Sequence, residues 1–284
     1  MLTGTVIDAS PHVITIWCGD REERLALQPG TSVWRGSPVE STALEAGDWV
    51  VARLAALGPG VADRVWANIG RVTGLIVERS PSGVIVDAGR TVPRQTLVIP
   101  PRAASRVQVR FPHLEPGYLI DVIGLRAGGV VEGLVPATSQ PAFREGGPVS
   151  TPALPPHILD GISGSATWHE PSYTPPDAEG VEYPALDPHA QCGEEPRPVA
   201  RCLRLPFLSV GSLLEVRNEC TGSWRTLPVI GCAATAAWFC DRCVTCGTSP
   251  RGRVADLTLA SFVALGGELE RGCFNATVSI GPPR

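Results

Sequence analysis

The sequence predicts an all-β protein: two small OB-like β-barrels in tandem, then a disulfide-rich six-stranded β-barrel with one or two short helices. Three observations carry that expectation. The 284 residues include 31 glycines and 28 prolines, spread over turns rather than gathered in one tract, which favours many short strands over long helices. The front half repeats itself at an offset of 70. Eight of the nine cysteines fall between Cys192 and Cys273.

The repeat has three landmarks without a gap between them. Thr3-Gly4-Thr5-Val6 recurs as Thr73-Gly74-Leu75-Ile76, Ser10-Pro11 as Ser80-Pro81, and Leu44-Glu45-Ala46-Gly47-Asp48 as Leu114-Glu115-Pro116-Gly117-Tyr118. Each unit reads as five or six short strands, enough for a small closed barrel without exposed edges. The expected units are 1–70 and 71–140, followed by a Pro-rich linker at 141–162, a semi-rigid spacer, and a third barrel at 163–284. Trp17, Trp34, Trp49 and Trp66 all lie in the first unit and are read as core and inter-barrel packing.

Charge excludes some functions. The formal net charge is −4, and residues 1–135 balance 13 arginines against 13 acidic residues. A nucleic-acid groove lined by basic and stacking residues is therefore not expected. All 24 basic residues are arginine, a bias that a GC-rich genome explains. No apolar run approaches the length of a membrane span.

The cysteines Cys192, Cys202, Cys220, Cys232, Cys240, Cys243, Cys246 and Cys273 read as a disulfide framework of an oxidising compartment. Cys240-x-x-Cys243-x-x-Cys246 also has metal-ligand spacing, so zinc is the competing reading. The other five lack paired C-x-x-C spacing, which favours disulfides; no metal or other cofactor is expected. Connectivity stays open. Cys18, far from the rest, reads as a small buried apolar residue, with an intermolecular bridge as the alternative. Met1 is followed at once by strand-like sequence, without a charged n-region and an apolar h-region. Export is then expected to use a leader outside this chain or another route.

The chain's most structured motif runs from Cys240-Asp241-Arg242-Cys243 to a capped helix. Thr258 is the expected N-cap. Leu259, Phe262 and Val263 make one apolar face at i, i+3, i+4, and Gly266-Gly267 ends the helix. An aspartate before a turn and a capped helix reads as a carboxylate held at a surface groove.

Gly164-Ser165-Ala166-Thr167-Trp168-His169, Leu205-Pro206-Phe207, Gly211–Asn218, Cys240–Cys243, Arg253–Thr258 and Leu265–Gly272 occur in an order and spacing that resemble the double-psi β-barrel of rare lipoprotein A-like proteins and of the expansin first domain. The front half more loosely resembles small OB-like domains of exported bacterial proteins. The resemblance implies a six-stranded barrel whose open groove takes wall polysaccharide, peptidoglycan or a glucan, at the cell envelope or outside the cell. It maps the key carboxylate onto Asp241 and a first-strand threonine onto Thr167. His169 is the aligned histidine, an acid/base candidate or a hydrogen-bonded surface residue. Trp168, Tyr173, Trp224 and Trp238 are candidates for stacking on sugar rings. Asp256 is a candidate ligand contact, or an anchor of the helix start.

Glycan-cleaving members carry a histidine shortly before L-P-F-G, where this chain has Cys202, and D-R-G-P is here Asp241-Arg242-Cys243-Val244. Cleavage normally wants two matched groups. The expected function is therefore binding or loosening of wall polysaccharide without hydrolysis. The alternatives are a structural or protease-inhibitor-like protein, a homo-oligomer or assembly, and lytic transglycosylase-like cleavage using Asp241.

Overall fold

Short runs of Val, Ile and Leu alternating with polar residues, closed off by Gly and Pro, produce strands throughout the described residues. The computed structural model describes residues 1–55, 58, 60–89, 93–139, 161–170, 175–186, 203, 205–243 and 252–280. Nearly all of the Pro-rich stretch, Tyr173, Cys192, Cys202 and Cys246 lie outside the described residues. The all-β expectation holds, and the strands close into barrels.

The first barrel uses β1 (Leu2–Ala9), β2 (Val13–Trp17), β3 (Glu22–Trp34), β4 (Pro38–Val39), β5 (Trp49–Leu54) and β6 (Val61–Ala67). Pairing runs β1–β2–β3–β6–β5 and back to β1, with β3 and β6 parallel and the short β4 added to β3. The second barrel uses β7 (Ile69–Ser80), β8 (Gly83–Asp87), β9 (Gln95–Val98), β10 (Leu119–Ala127) and β11 (Val130–Pro136). Its ring, β7–β8–β9–β11–β10, repeats the first, again with one parallel pair, β9–β11. Both are five-stranded rings of the OB type.

The repeat in sequence is a repeat of bonds. Val6 N–H donates to Asp48 O and Gly47 N–H to Val6 O, at 2.8 and 2.9 Å; Ile76 N–H donates to Tyr118 O and Gly117 N–H to Ile76 O, at 2.9 and 2.8 Å. Gly4 and Gly74 are glycine for one reason. A Cβ would lie 2.4 Å from Trp17 O in the first barrel and 2.1 Å from Asp87 O in the second.

The units also differ. An α-helix, α1 (Pro101–Gln108), connects β9 to β10; the first barrel has a single 3-10 turn at Ser41–Ala43 there. Sequence reading did not place α1. Its signal was Pro101 at the first helical position, where the missing N–H removes no bond. Val107 and Phe111 then pack into the second barrel's core.

The third barrel uses β12 (Ile162–Trp168), β13 (Val181–Tyr183), β14 (Leu213–Asn218), β15 (Trp224–Cys232), β16 (Arg253–Leu257) and β17 (Cys273–Ile280). The ring order is β12–β16–β13–β15–β14–β17. It holds two parallel pairs, β12–β16 and β13–β15. Advancing every strand by three places maps the ring onto itself, the internal two-fold that a double-psi barrel requires. Helix α2 (Leu259–Ala264) follows β16, capped as expected: the Thr258 hydroxyl accepts from Ser261 N–H. Leu259, Phe262 and Val263 are all buried.

The barrels share apolar packing. The core of the third barrel runs on into Trp34, Val51 and Trp66 of the first and Ile69, Ile123 and Ala137 of the second. Trp34 and Trp66 therefore pack between barrels as expected, whereas Trp17 is 46% exposed. Arg64 Nη1 donates to Glu268 at 2.8 Å, and Trp66 Nε1 donates to Glu270 at 2.5 Å. Cys18 packs at the edge of the first barrel's core.

Candidate functional site

Asp241 does not stand at a groove. It is fully buried. The Ser165 hydroxyl donates to its Oδ1 at 3.0 Å and Arg253 Nε to its Oδ2 at 2.7 Å. Arg253 Nη2 then donates to Asp121 of the second barrel at 2.5 Å, and Arg71 reaches both oxygens of that carboxylate at 2.8 and 2.7 Å. Asp241, Arg253, Asp121 and Arg71 form a neutral chain of alternating charge sealed between two barrels. Burial alone would raise the Asp121 carboxyl, but Arg71 and Arg253 outweigh it and hold it below the usual carboxylate range. Arg253 also stacks its guanidinium 3.7 Å from the Phe239 ring centroid. A carboxylate so enclosed and paired cannot reach a glycosidic oxygen. The expected catalytic and groove role of Asp241 gives way to one in joining barrels.

Two of the aromatic candidates share that fate. Trp168 is fully buried and its Nε1 donates to Leu269 O at 3.0 Å. Trp238 packs beside Phe239 against Leu75 and Leu119 of the second barrel. Trp224, 62% exposed at the start of β15, presents its face to solvent.

Among the described cysteines, Cys220, Cys232 and Cys240 are disulfide-bonded. Cys243 and Cys273 are buried thiols: Cys243 Sγ donates toward Cys273 O at 3.7 Å and Cys273 Sγ toward Ala137 O at 3.4 Å.

What the barrel does bring together is Thr167, His169, Glu182 and Asp256. Strand register makes the group. Thr167 of β12 pairs with Asp256 of β16, and Asp256 pairs with Glu182 of β13. The three therefore lie in one row across three strands. His169 follows β12 and is tied down by its N–H donating to Leu257 O at 3.0 Å. The Thr167 hydroxyl donates to Asp256 Oδ1 at 2.8 Å, fixing that carboxylate. His169 Nε2 lies 3.9 Å from Glu182 Oε1, and the two side chains are 17% and 27% exposed.

The electrostatics of this row are unbalanced. Two carboxylates face each other across a strand pair, an arrangement that is unfavourable unless something neutralises it. Burial pushes the Glu182 carboxyl up; His169 opposes this and Asp256 adds to it. Donor atoms of His169, Glu182 and Asp256 lie within 4.8 Å of one another, one nitrogen and two carboxylates, a set that suits a hard or borderline divalent cation. Equally, the row can share a proton or bind neighbouring hydroxyls. Asp256 thus faces the site and does not cap the helix, a role Thr258 fills. Sequence reading counted Glu182 only as one acid among several. Its signal was the polar residue in Val181-Glu182-Tyr183, whose neighbours are both buried.

In comparisons with known proteins, no family model matches the chain, and no match was found among curated proteins.

Proposed function

We propose that this is an envelope or extracellular protein that binds wall polysaccharide without hydrolysing it, through the face of the third barrel carrying Thr167, His169, Glu182 and Asp256. The observation that carries this reading is the row Thr167–Asp256–Glu182, held by strand register and only part-buried at Glu182 and His169. Paired acidic oxygens beside an imidazole offer acceptors and donors for adjacent sugar hydroxyls. Exposed Trp224 supplies an aromatic face on the same barrel. The test is retention on insoluble peptidoglycan and cellulose, with chromatographic analysis of released sugars. The wild type is retained and releases nothing; Glu182→Ala binds at least ~10-fold more weakly, the factor that 1.4 kcal/mol represents.

A second reading has its own support. A carboxyl raised by burial beside a second carboxylate is a pairing that glycoside cleavage uses. It transfers lytic cleavage from Asp241 to Glu182 and Asp256. Soluble muropeptides that vanish in Glu182→Gln, with retention preserved, are its signature.

A further inference from the structure

A cleft of about 530 Å3 opens where the three barrels meet. Trp49 and Asn68 come from the first barrel and its exit, Gln95 and Arg126 from the second, and Glu170 from the chain beyond β12. No single barrel contains this site. Its volume lies in the range of small-molecule pockets, about 300–1,000 Å3.

The walls are held in place. Asn68 has φ 50, the one non-glycine residue with positive φ among the described residues. Its Oδ1 accepts from Trp49 N–H at 2.9 Å and its Nδ2 donates to Asp48 at 2.6 Å. The half-buried Trp49 is thereby fixed at the rim. Opposite, Glu170 Oε1 accepts from Arg71 N–H at 2.7 Å, and its other oxygen meets Arg126. Gly70 permits this approach, since a Cβ there would lie 3.1 Å from Glu170 Oε1.

Charge decides the class of ligand. Arg126 is matched by Glu170, and Arg94 on the rim stands 3.8 Å from Asp87. Among the described residues no arginine of the cleft lacks a carboxylate, so an anion finds no uncompensated cation. What remains is an aromatic face with planar donors and acceptors from Gln95, Arg126, Glu170 and Asn68. That combination fits an uncharged polyhydroxyl ring.

We propose that this cleft is a second carbohydrate site, taking an uncharged sugar unit of an oligosaccharide against Trp49. It stands on the cleft's own geometry and is separate from Glu182: β12 ends between the two, with Trp168 and Glu170 lining the cleft while Thr167 and His169 face Asp256 and Glu182.

The test titrates the full chain with cellotetraose, chitotetraose and tetragalacturonate, read by tryptophan fluorescence and saturation-transfer NMR. Thermal melts confirm that each variant folds. The expected result is saturable binding of a neutral tetraose, weakened at least ~10-fold in Trp49→Ala and measurably in Gln95→Leu, and unchanged in Arg21→Ala, an exposed position outside the cleft. Every other pattern overturns the proposal: no binding of either neutral tetraose, preference for the galacturonate, binding untouched by both cleft variants, or an equal loss on Arg21→Ala. Failure here leaves retention on insoluble wall polysaccharide, and its dependence on Glu182, as a separate result.

Discussion

Asp121 of the second barrel and Arg253 of the third share a 2.5 Å hydrogen bond with both side chains all but sealed from solvent. Their outer partners, Arg71 and Asp241, bring two positive and two negative charges into one buried chain. Such a chain adds modest net stability when complete, because desolvation offsets most of the attraction. Its breakage is another matter. Asp121→Asn leaves two arginines sharing the single charge of Asp241 and is expected to lower unfolding stability by about 3–5 kcal/mol, measured by urea denaturation. A loss within 0.5 kcal/mol would mean that the barrels do not depend on this chain.

The same carboxylate sets an acid limit. The folded Asp121 group lies below its unfolded range. Its contribution is therefore present above the unfolded pKa of about 3.9 and lost as pH falls through the folded value. Melting temperature should drop steeply only below about pH 4, and Asp121→Asn should flatten that drop.

Glu182 has the opposite sign. Its folded carboxyl is raised, chiefly by burial, so the folded state loses stability as pH climbs from the unfolded value near 4.3 through the folded one. Glu182→Gln removes that penalty. At pH 7 the variant should melt higher than the wild type. Below about pH 4 the two melting temperatures should converge. A variant less stable at pH 7 would show that the row is balanced by a bound cation or another partner.

The two front barrels offer a matched pair of substitutions. Gly4→Ala and Gly74→Ala each drive a Cβ into a carbonyl oxygen of the neighbouring strand, at 2.4 and 2.1 Å. Both are expected to destabilise by about 1–3 kcal/mol. Gly30→Ala meets nothing within 4 Å and should stay within about 0.5 kcal/mol. Equilibrium unfolding of the three variants checks the equivalence directly.

Local features were readable from the chain because local physics decides them. Gly47 and Gly117 turn the same corner, Thr258 caps its helix, and the strand runs form the three rings. The site was less legible. Asp241 looked like a groove carboxylate because its turn and helix are of the right kind, but the Arg253 that pairs with it is shared with Asp121 of another barrel, 120 residues from Asp241. A hint was present in Leu119-Ile120-Asp121-Val122-Ile123, where one acid interrupts an apolar strand and must find a buried cation. Arg71, in Ile69-Gly70-Arg71-Val72, carries the complementary hint. Glu182 became visible only through register. No spacing in sequence brings it beside Asp256, since the two lie on strands separated by β14 and β15.

Glu182 and Asp256 form the proposed glycan-binding row of the third barrel. Its most direct test is a depletion isotherm on insoluble peptidoglycan and on cellulose, comparing wild type with Glu182→Ala at pH 7 after melts confirm both are folded. The account predicts saturable retention of the wild type on at least one of the two, at least ~10-fold weaker retention of the variant, and no released sugar from either. Superimposable isotherms, or a wild type that binds neither polysaccharide, would contradict it.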